Sequence, residues 1–138
     1  MVIDSSAIIA MLMNEANAAA IARAIEAGSP RLLSAASLLE ASIVIESRKG
    51  EAGGLDLDLL LYRAAIEVVA VDKDQAELAR SAWRRFGKGR HPAALNYGDC
   101  FAYALAKNRN LPLLYQGDDF SQTDVECVGL SSEGNTNG

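Results

Sequence analysis

Apolar positions along the chain fall into two rhythms: short dense runs, and longer stretches with helical spacing. MVID (1–4) is a short apolar run ending in an acid and reads as a strand. Residues 5–28 carry the spacing of one or two helices, closed by Gly28 and stopped by Ser29-Pro30. RLLSA (31–35) is a second strand candidate, leading into ASLLEASIVIESRKG (36–50), a helix with Arg48 and Lys49 in its last turn and Gly50 beyond it. LDLDLLLYRAAI (55–66) repeats the helical pattern, and EVVAV (67–71) is a clear strand. Asp72 with Gln75 three residues on predicts a capping box for a helix from about Asp74 to Phe86. The loop GKGRHPAALNYG (87–98) precedes a further helix, after which come LPLLY (111–115) as a strand, GDDFSQTD (117–124) as a turn and VECVGL (125–130) as a final strand. Residues 129–138 are expected to form a disordered tail, since SSEGNTNG has no apolar content.

Strands alternating with helices predict one α/β domain over residues 1–128, with a mainly parallel central sheet flanked by helices. Such sheets bind ligands beyond the carboxyl ends of their strands. The composition, 50% hydrophobic and 22% charged over 138 residues, fits a packed globule. The opening residues have no basic n-region, so no secretory signal is expected. The longest apolar runs, AIIAMLM and LLLY, fall far short of the ~20 residues a membrane span requires. Cys100 and Cys127 form no CxxC and lie in apolar surroundings, so reduced thiols and a cytoplasmic location are expected. A net charge of −5 excludes a general nucleic-acid coat. Four of the thirteen basic residues, Arg84, Arg85, Lys88 and Arg90, nevertheless fall within WRRFGKGRH (83–91), which could grip a polyanion locally.

The helix after Gly98 reads Cys100, Phe101, Ala102, Tyr103, Ala104, Leu105, Ala106, apolar on every side, as a buried helix does. Asp99 sits at its head. Asp4 ends the first strand, Glu40 lies about a turn and a half into the helix after RLLS, and Asp118 and Asp119 follow LPLLY. In a parallel sheet Asp4, Glu40 and Asp118 lie at or just past the carboxyl edge, and Asp99 joins them if its helix begins there. Each has an ordinary reading as well: Asp4 as a helix cap, Asp99 as the third residue of a helix capped by Asn96, Asp118 and Asp119 as turn residues, Glu40 as a solvated rim position. Jointly the ordinary readings weaken. Four carboxylates within ~5 Å of one another repel by ~3 kcal/mol per pair at an effective dielectric of ~20, or ~20 kcal/mol over all pairs as an upper bound. That exceeds the ~5–15 kcal/mol stability of a domain. Either the acids are apart, or something cationic sits among them. An all-carboxylate site suits Mg²⁺ or Mn²⁺, whereas one histidine and scattered cysteines do not suit zinc. Such a cation with a basic loop nearby points to phosphodiester hydrolysis.

The assembled residues resemble the PIN-domain ribonucleases, and within them the VapC-like toxins of bacterial toxin–antitoxin pairs. MVIDSSAIIAMLMNE is similar to the start of that family, LSAASLLEASIVIE to the segment bearing its second acid, and GRHPAALNYGDCFAYALAK followed by LPLLYQGDDF to its third and fourth motifs. The resemblance covers residues 1 to about 128. It implies metal binding by Asp4 and Asp99, completed by Glu40 and a fourth acid, and Mg²⁺- or Mn²⁺-dependent endonucleolytic cleavage of RNA such as tRNA or rRNA. It implies that the Ser6 hydroxyl supports Asp4, that the toxin forms a homodimer, and that a cognate VapB-like antitoxin silences it in a hetero-oligomer. Many PIN domains place the fourth acid in a Thr-x-Asp run. Here the aligned stretch is Tyr115-Gln116-Gly117, so the fourth acid is taken as Asp118, with Asp119 as the alternative.

Three further features bear on function. Trp83 and Phe86 are expected to finish the apolar face of their helix, against a second reading in which they stack on an RNA base. His91, alone beside Pro92, is expected in a surface loop. Met11, Leu12 and Leu59 to Leu61 are assigned to ordinary core packing, with a dimer face or antitoxin groove as the alternative. Competing chemistries fit poorly. Haloacid-dehalogenase-type phosphatases need a second Asp where Ser6 stands, and receiver domains need an acid pair and a Lys that are absent here. A catalytically silent PIN-like binding module is the remaining alternative; the loss of one of the first three acids would favour it, and all three are present.

Overall fold

The computed structural model describes residues 1–130. A parallel sheet of four strands, ordered β3-β2-β1-β4, forms the centre. Its strands are β1 (Val2–Ile3), β2 (Leu32–Ser34), β3 (Glu67–Val69) and β4 (Leu113–Leu114). Val2 pairs with Leu32 on one side and Leu113 on the other, and Ile3 pairs with Leu114. Side chains alternate across a strand. Accordingly Val2, Leu32 and Leu113 enter one apolar cluster, while Ile3, Leu33 and Leu114 enter a second on the opposite face.

Helices α1 (Ser5–Leu12), α2 (Ala18–Ala27) and α3 (Ala35–Arg63) contribute to the second cluster. Helices α4 (Lys73–Phe86) and α5 (Tyr97–Arg109) contribute to the first. The predicted stretch 5–28 is two helices, broken where Asn14 takes a left-handed φ of 52°. The expected stop at Gly50 is a kink instead: φ 68°, ψ −163° at that residue, with helix resuming at once, so that 51–54 is helical. All the strands are shorter than their apolar runs, because the pairing partners lie side by side for only two or three residues.

Three expectations need correction. VECVGL is not a strand: it makes a single bridge, Leu113 N–H to Glu126 O at 2.8 Å and Val128 N–H to Leu113 O at 2.9 Å, because β4 has only one residue to offer it. Asp72 caps α4 through the Gln75 N–H at 2.8 Å, but the Gln75 amide donates to Ala70 O and the box does not close. Trp83 is not core: it stays 45% exposed, under the guanidinium of Arg90, whereas Phe86 is buried and meets His91 edge-on.

Met11, Leu12, Leu60 and Leu61 rest against the core, and Leu59 is exposed together with Leu39, Ile43, Leu55 and Tyr62 on the same long helix. Both cysteines are free, Cys100 buried and Cys127 exposed. Among the described residues no helix is long and apolar enough to cross a membrane. The expected tail falls outside the described residues from 131 onward; Leu130, within it, still packs on the core.

Candidate active site

The strand ends and helix starts converge at the carboxyl edge of the sheet. Asp4 leaves β1 as the N-cap of α1, its Oδ2 accepting the Ser6 N–H at 3.0 Å. Its Oδ1 is buried with no hydrogen-bond partner among the described residues. Ser34 leaves β2 as the cap of α3, which sets Glu40 in the second turn; Glu40 Oε1 accepts the Ser5 hydroxyl at 2.6 Å. Asp99 is the third residue of α5 and closes a full capping box. Its Oδ2 accepts the Asn96 N–H and its own N–H donates to Asn96 Oδ1, both at 2.9 Å. A carboxylate at a helix N-terminus also sits favourably in the helix dipole.

Gly98 makes the junction possible. A Cβ at that position would stand 2.3 Å from Glu40 Oε2, so the start of α5 and the Glu40 carboxylate share space that only glycine leaves free.

Burial is the main electrostatic influence. It pushes Asp4 up to about 7, against the lowering effect of the Ser6 hydroxyl and N–H, and the charges of Asp99 and Glu40 add to the rise. Asp99 is pushed up to about 6, again by burial first, with Asp119 and Glu40 adding to it and the Asn96 N–H opposing. The acids therefore act on one another, and no Lys or Arg is among the groups that shift Asp4 or Asp99.

Asp118 and Asp119 are both exposed at the start of a 3₁₀ turn (Asp119–Gln122). Their charges are felt in different places: that of Asp119 at Asp99, that of Asp118 at Tyr115. Ser6 ties this loop down, its hydroxyl accepting the Gln116 N–H at 2.9 Å, while Gln116 Oε1 accepts from Asn17 Nδ2 at 2.9 Å.

Among the described residues no three His, Cys, Asp or Glu side chains are already gathered as a coordination shell. The fit to a hard divalent cation rests on the donors: an all-oxygen set, mutually repelling, with one buried carboxylate oxygen lacking a partner. Sequence reasoning missed Ser5, Gly98 and Gln116. None carries chemistry that a motif would flag, and each matters only through a contact 35 to 110 residues away in sequence, or through its lack of a side chain.

The four basic residues of the 83–91 segment are all exposed and have different neighbours. Arg85 pairs with Asp124 at 3.3 Å, where Lys107 and the Tyr103 hydroxyl also meet. Arg90 lies over Trp83, Lys88 lines a cavity between α4 and α5, and Arg84 is exposed.

A family model, the PIN domain, matches residues 1–126, and the chain belongs to the PIN-domain family. Its relatives include Ribonuclease VapC30 of Mycobacterium tuberculosis, 56% identical over 130 residues that span 94% of this chain and 99% of that protein. Ribonuclease VapC of Mycolicibacterium smegmatis is 56% identical over 128 residues, covering 93% and 99% of the two chains. The crystal structure of Mycobacterium tuberculosis VapC20, a sarcin-ricin loop cleaving toxin, matches with a TM-score of 0.74 at 18% identity, over 92% of this chain and 97% of that one, and attests the fold.

Proposed function

We propose that this chain is a metal-dependent endoribonuclease toxin of the VapC type, acting in the cytoplasm on tRNA or rRNA and silenced by a cognate VapB-like antitoxin. The observation that carries the reading is the buried, unpartnered Oδ1 of Asp4 in mutual repulsion with Glu40 and Asp99 at the sheet edge. Asp4, Glu40 and Asp99 would hold Mg²⁺ or Mn²⁺, and Asp119 serves as the fourth acid in preference to Asp118 because its charge acts on Asp99. When bound, the cation polarises the phosphodiester and lowers the pKa of a water nucleophile.

The protein's own contribution is positioning. The Ser6 N–H and hydroxyl support Asp4, the Ser5 hydroxyl holds Glu40, and the capping box fixes Asp99 on a buried helix. Arg84, Lys88 and Arg90 lie on the exposed side of the same region and attract phosphates; Arg85 is occupied by Asp124. The exposed apolar side chains of α3 (Leu39, Ile43, Leu55, Leu59 and Tyr62) supply surface for a homodimer and for the antitoxin, a partner class in line with the toxin–antitoxin complex from Klebsiella pneumoniae that shares the fold.

The test is cleavage of total cellular RNA by the purified chain with Mg²⁺, Mn²⁺ or EDTA, beside Asp99→Asn. Discrete products that need the metal and vanish in the folded variant are expected. Equal background in every lane would replace this reading with that of a silent binding module.

A further inference from the structure

We propose that the cavity between α4 and α5 is a nucleobase subsite, holding one unpaired base of the RNA substrate next to the acid cluster; this rests on the ribonuclease reading above. The cavity measures about 650 Å³, within the ~300–1,000 Å³ of ordinary small-ligand sites. Its lining is mainly apolar and aromatic, with Trp83, Tyr97 and Phe101 among the walls, and its charged side chains are Arg80 and Lys88. Among the described residues no carboxylate lines it, in a chain of net charge −5.

The aromatic side chains are arranged for stacking. Arg90 lies 4.2 Å from the Trp83 ring centroid, forming a cation–plane pair beside the cavity. Tyr97 is 82% exposed and meets Phe101 edge-on at 4.9 Å, which leaves its ring uncovered. An occupant must offer a flat apolar body and negative charge together. A nucleotide does so, its base against the rings and its phosphates toward Arg80, Lys88 and Arg90. Single-stranded RNA presents splayed bases of this kind, and base–aromatic stacking tolerates any base.

The location gives the subsite its purpose. Asn96 lines the cavity and exchanges two 2.9 Å hydrogen bonds with Asp99. Cavity wall and acid are thus parts of one capping box, and a base seated here holds a neighbouring phosphate in register with the acids. The subsite would then require an unpaired nucleotide next to the scissile bond.

Trp83 is the chain's single tryptophan, so its fluorescence reports directly on stacking. The full chain carrying Asp99→Asn, in Mg²⁺, is titrated with a short oligoadenylate and with an abasic ribose-phosphate oligomer of equal length and charge. The oligoadenylate is expected to quench Trp83 and to bind about 5- to 150-fold tighter than the abasic oligomer. Tyr97→Ala should reduce that preference without changing the abasic affinity, and Tyr97→Phe should restore it. In the otherwise unsubstituted chain, Tyr97→Ala should raise KM for RNA and leave kcat nearly unchanged.

Equal affinity for the two oligomers, or a preference untouched by Tyr97→Ala, would overturn the subsite and leave RNA held through phosphates alone. Displacement of the fluorescence signal by an antitoxin peptide with no response to oligoadenylate would overturn it in favour of a protein-binding cavity. Failure of the unsubstituted chain to cut any RNA overturns the ribonuclease reading; cleavage without base preference overturns the subsite alone.

Discussion

Gly98→Ala separates the requirements of the site from those of the fold. The added Cβ would stand 2.3 Å from Glu40 Oε2 and 2.7 Å from its Cδ. No real Cβ contact survives at that distance, so the carboxylate must retreat by roughly 1 Å; a flexible side chain can do this without moving backbone. In retreating it strains or breaks the 2.6 Å bond from the Ser5 hydroxyl. A hydrogen bond to a charged group contributes ~1.5–3 kcal/mol. This one is only partly buried, which puts its loss toward the lower figure. Alanine in place of glycine in a helix returns at most ~1 kcal/mol. Net stability should therefore fall by no more than ~1–2 kcal/mol, a shift of a few degrees in Tm for a chain of this size. Activity should fall much further, since ~1 Å of misplacement at a reacting centre costs ~10²-fold. Thermal unfolding and metal-dependent RNA cleavage, measured on the same preparation, check both halves. Cleavage at the unsubstituted rate would refute the placement of Glu40 in the site. A collapse in stability matching the loss of cleavage would refute the claim that only the carboxylate gives way.

Two further expectations concern the acids. Asp4 is raised from 3.8 to about 7 in the fold, so the native state binds the proton more tightly than the unfolded chain. Without metal, stability is then full below about pH 4 and falls as pH rises toward 7. Asp4→Asn, which can keep the Ser6 cap, should flatten that part of the profile, raise the metal-free Tm at pH 8 and abolish cleavage; chemical denaturation across pH tests it, and an unchanged slope would count against the buried charge. Asp119→Asn should lower the cleavage rate by about tenfold or more while Asp118→Asn changes it little, because the Asp119 charge is felt at Asp99 and that of Asp118 at Tyr115; single-turnover rates at saturating metal would expose the reverse order.

Much of this molecule was legible in the linear chain. Apolar runs that alternate with helical spacing define an α/β fold, and residues such as Asp4, bound to the strand it ends, go wherever that strand goes. The capping relation of Asn96 and Asp99 is likewise local, three residues apart, and is recovered in the structure as two reciprocal hydrogen bonds. Strand lengths were not legible, because an apolar run records burial while a strand lasts only as long as a neighbour lies beside it. The single bridge at Cys127 shows the difference.

Whatever depends on distant partners waited for the tertiary structure. Sequence could not say that Ser5, one position before the residue that supports Asp4, holds Glu40, nor that Gly98 is bare because Glu40 occupies the space beside it. It grouped four cations by their place in the chain, and only packing shows that Arg85 meets Asp124 while Arg90 lies over the Trp83 ring. Local spacing determines which residues lie at the ends of elements. Only the meeting of those ends decides which carboxylates share a field, because burial and Coulomb interaction depend on separation in space and not along the chain.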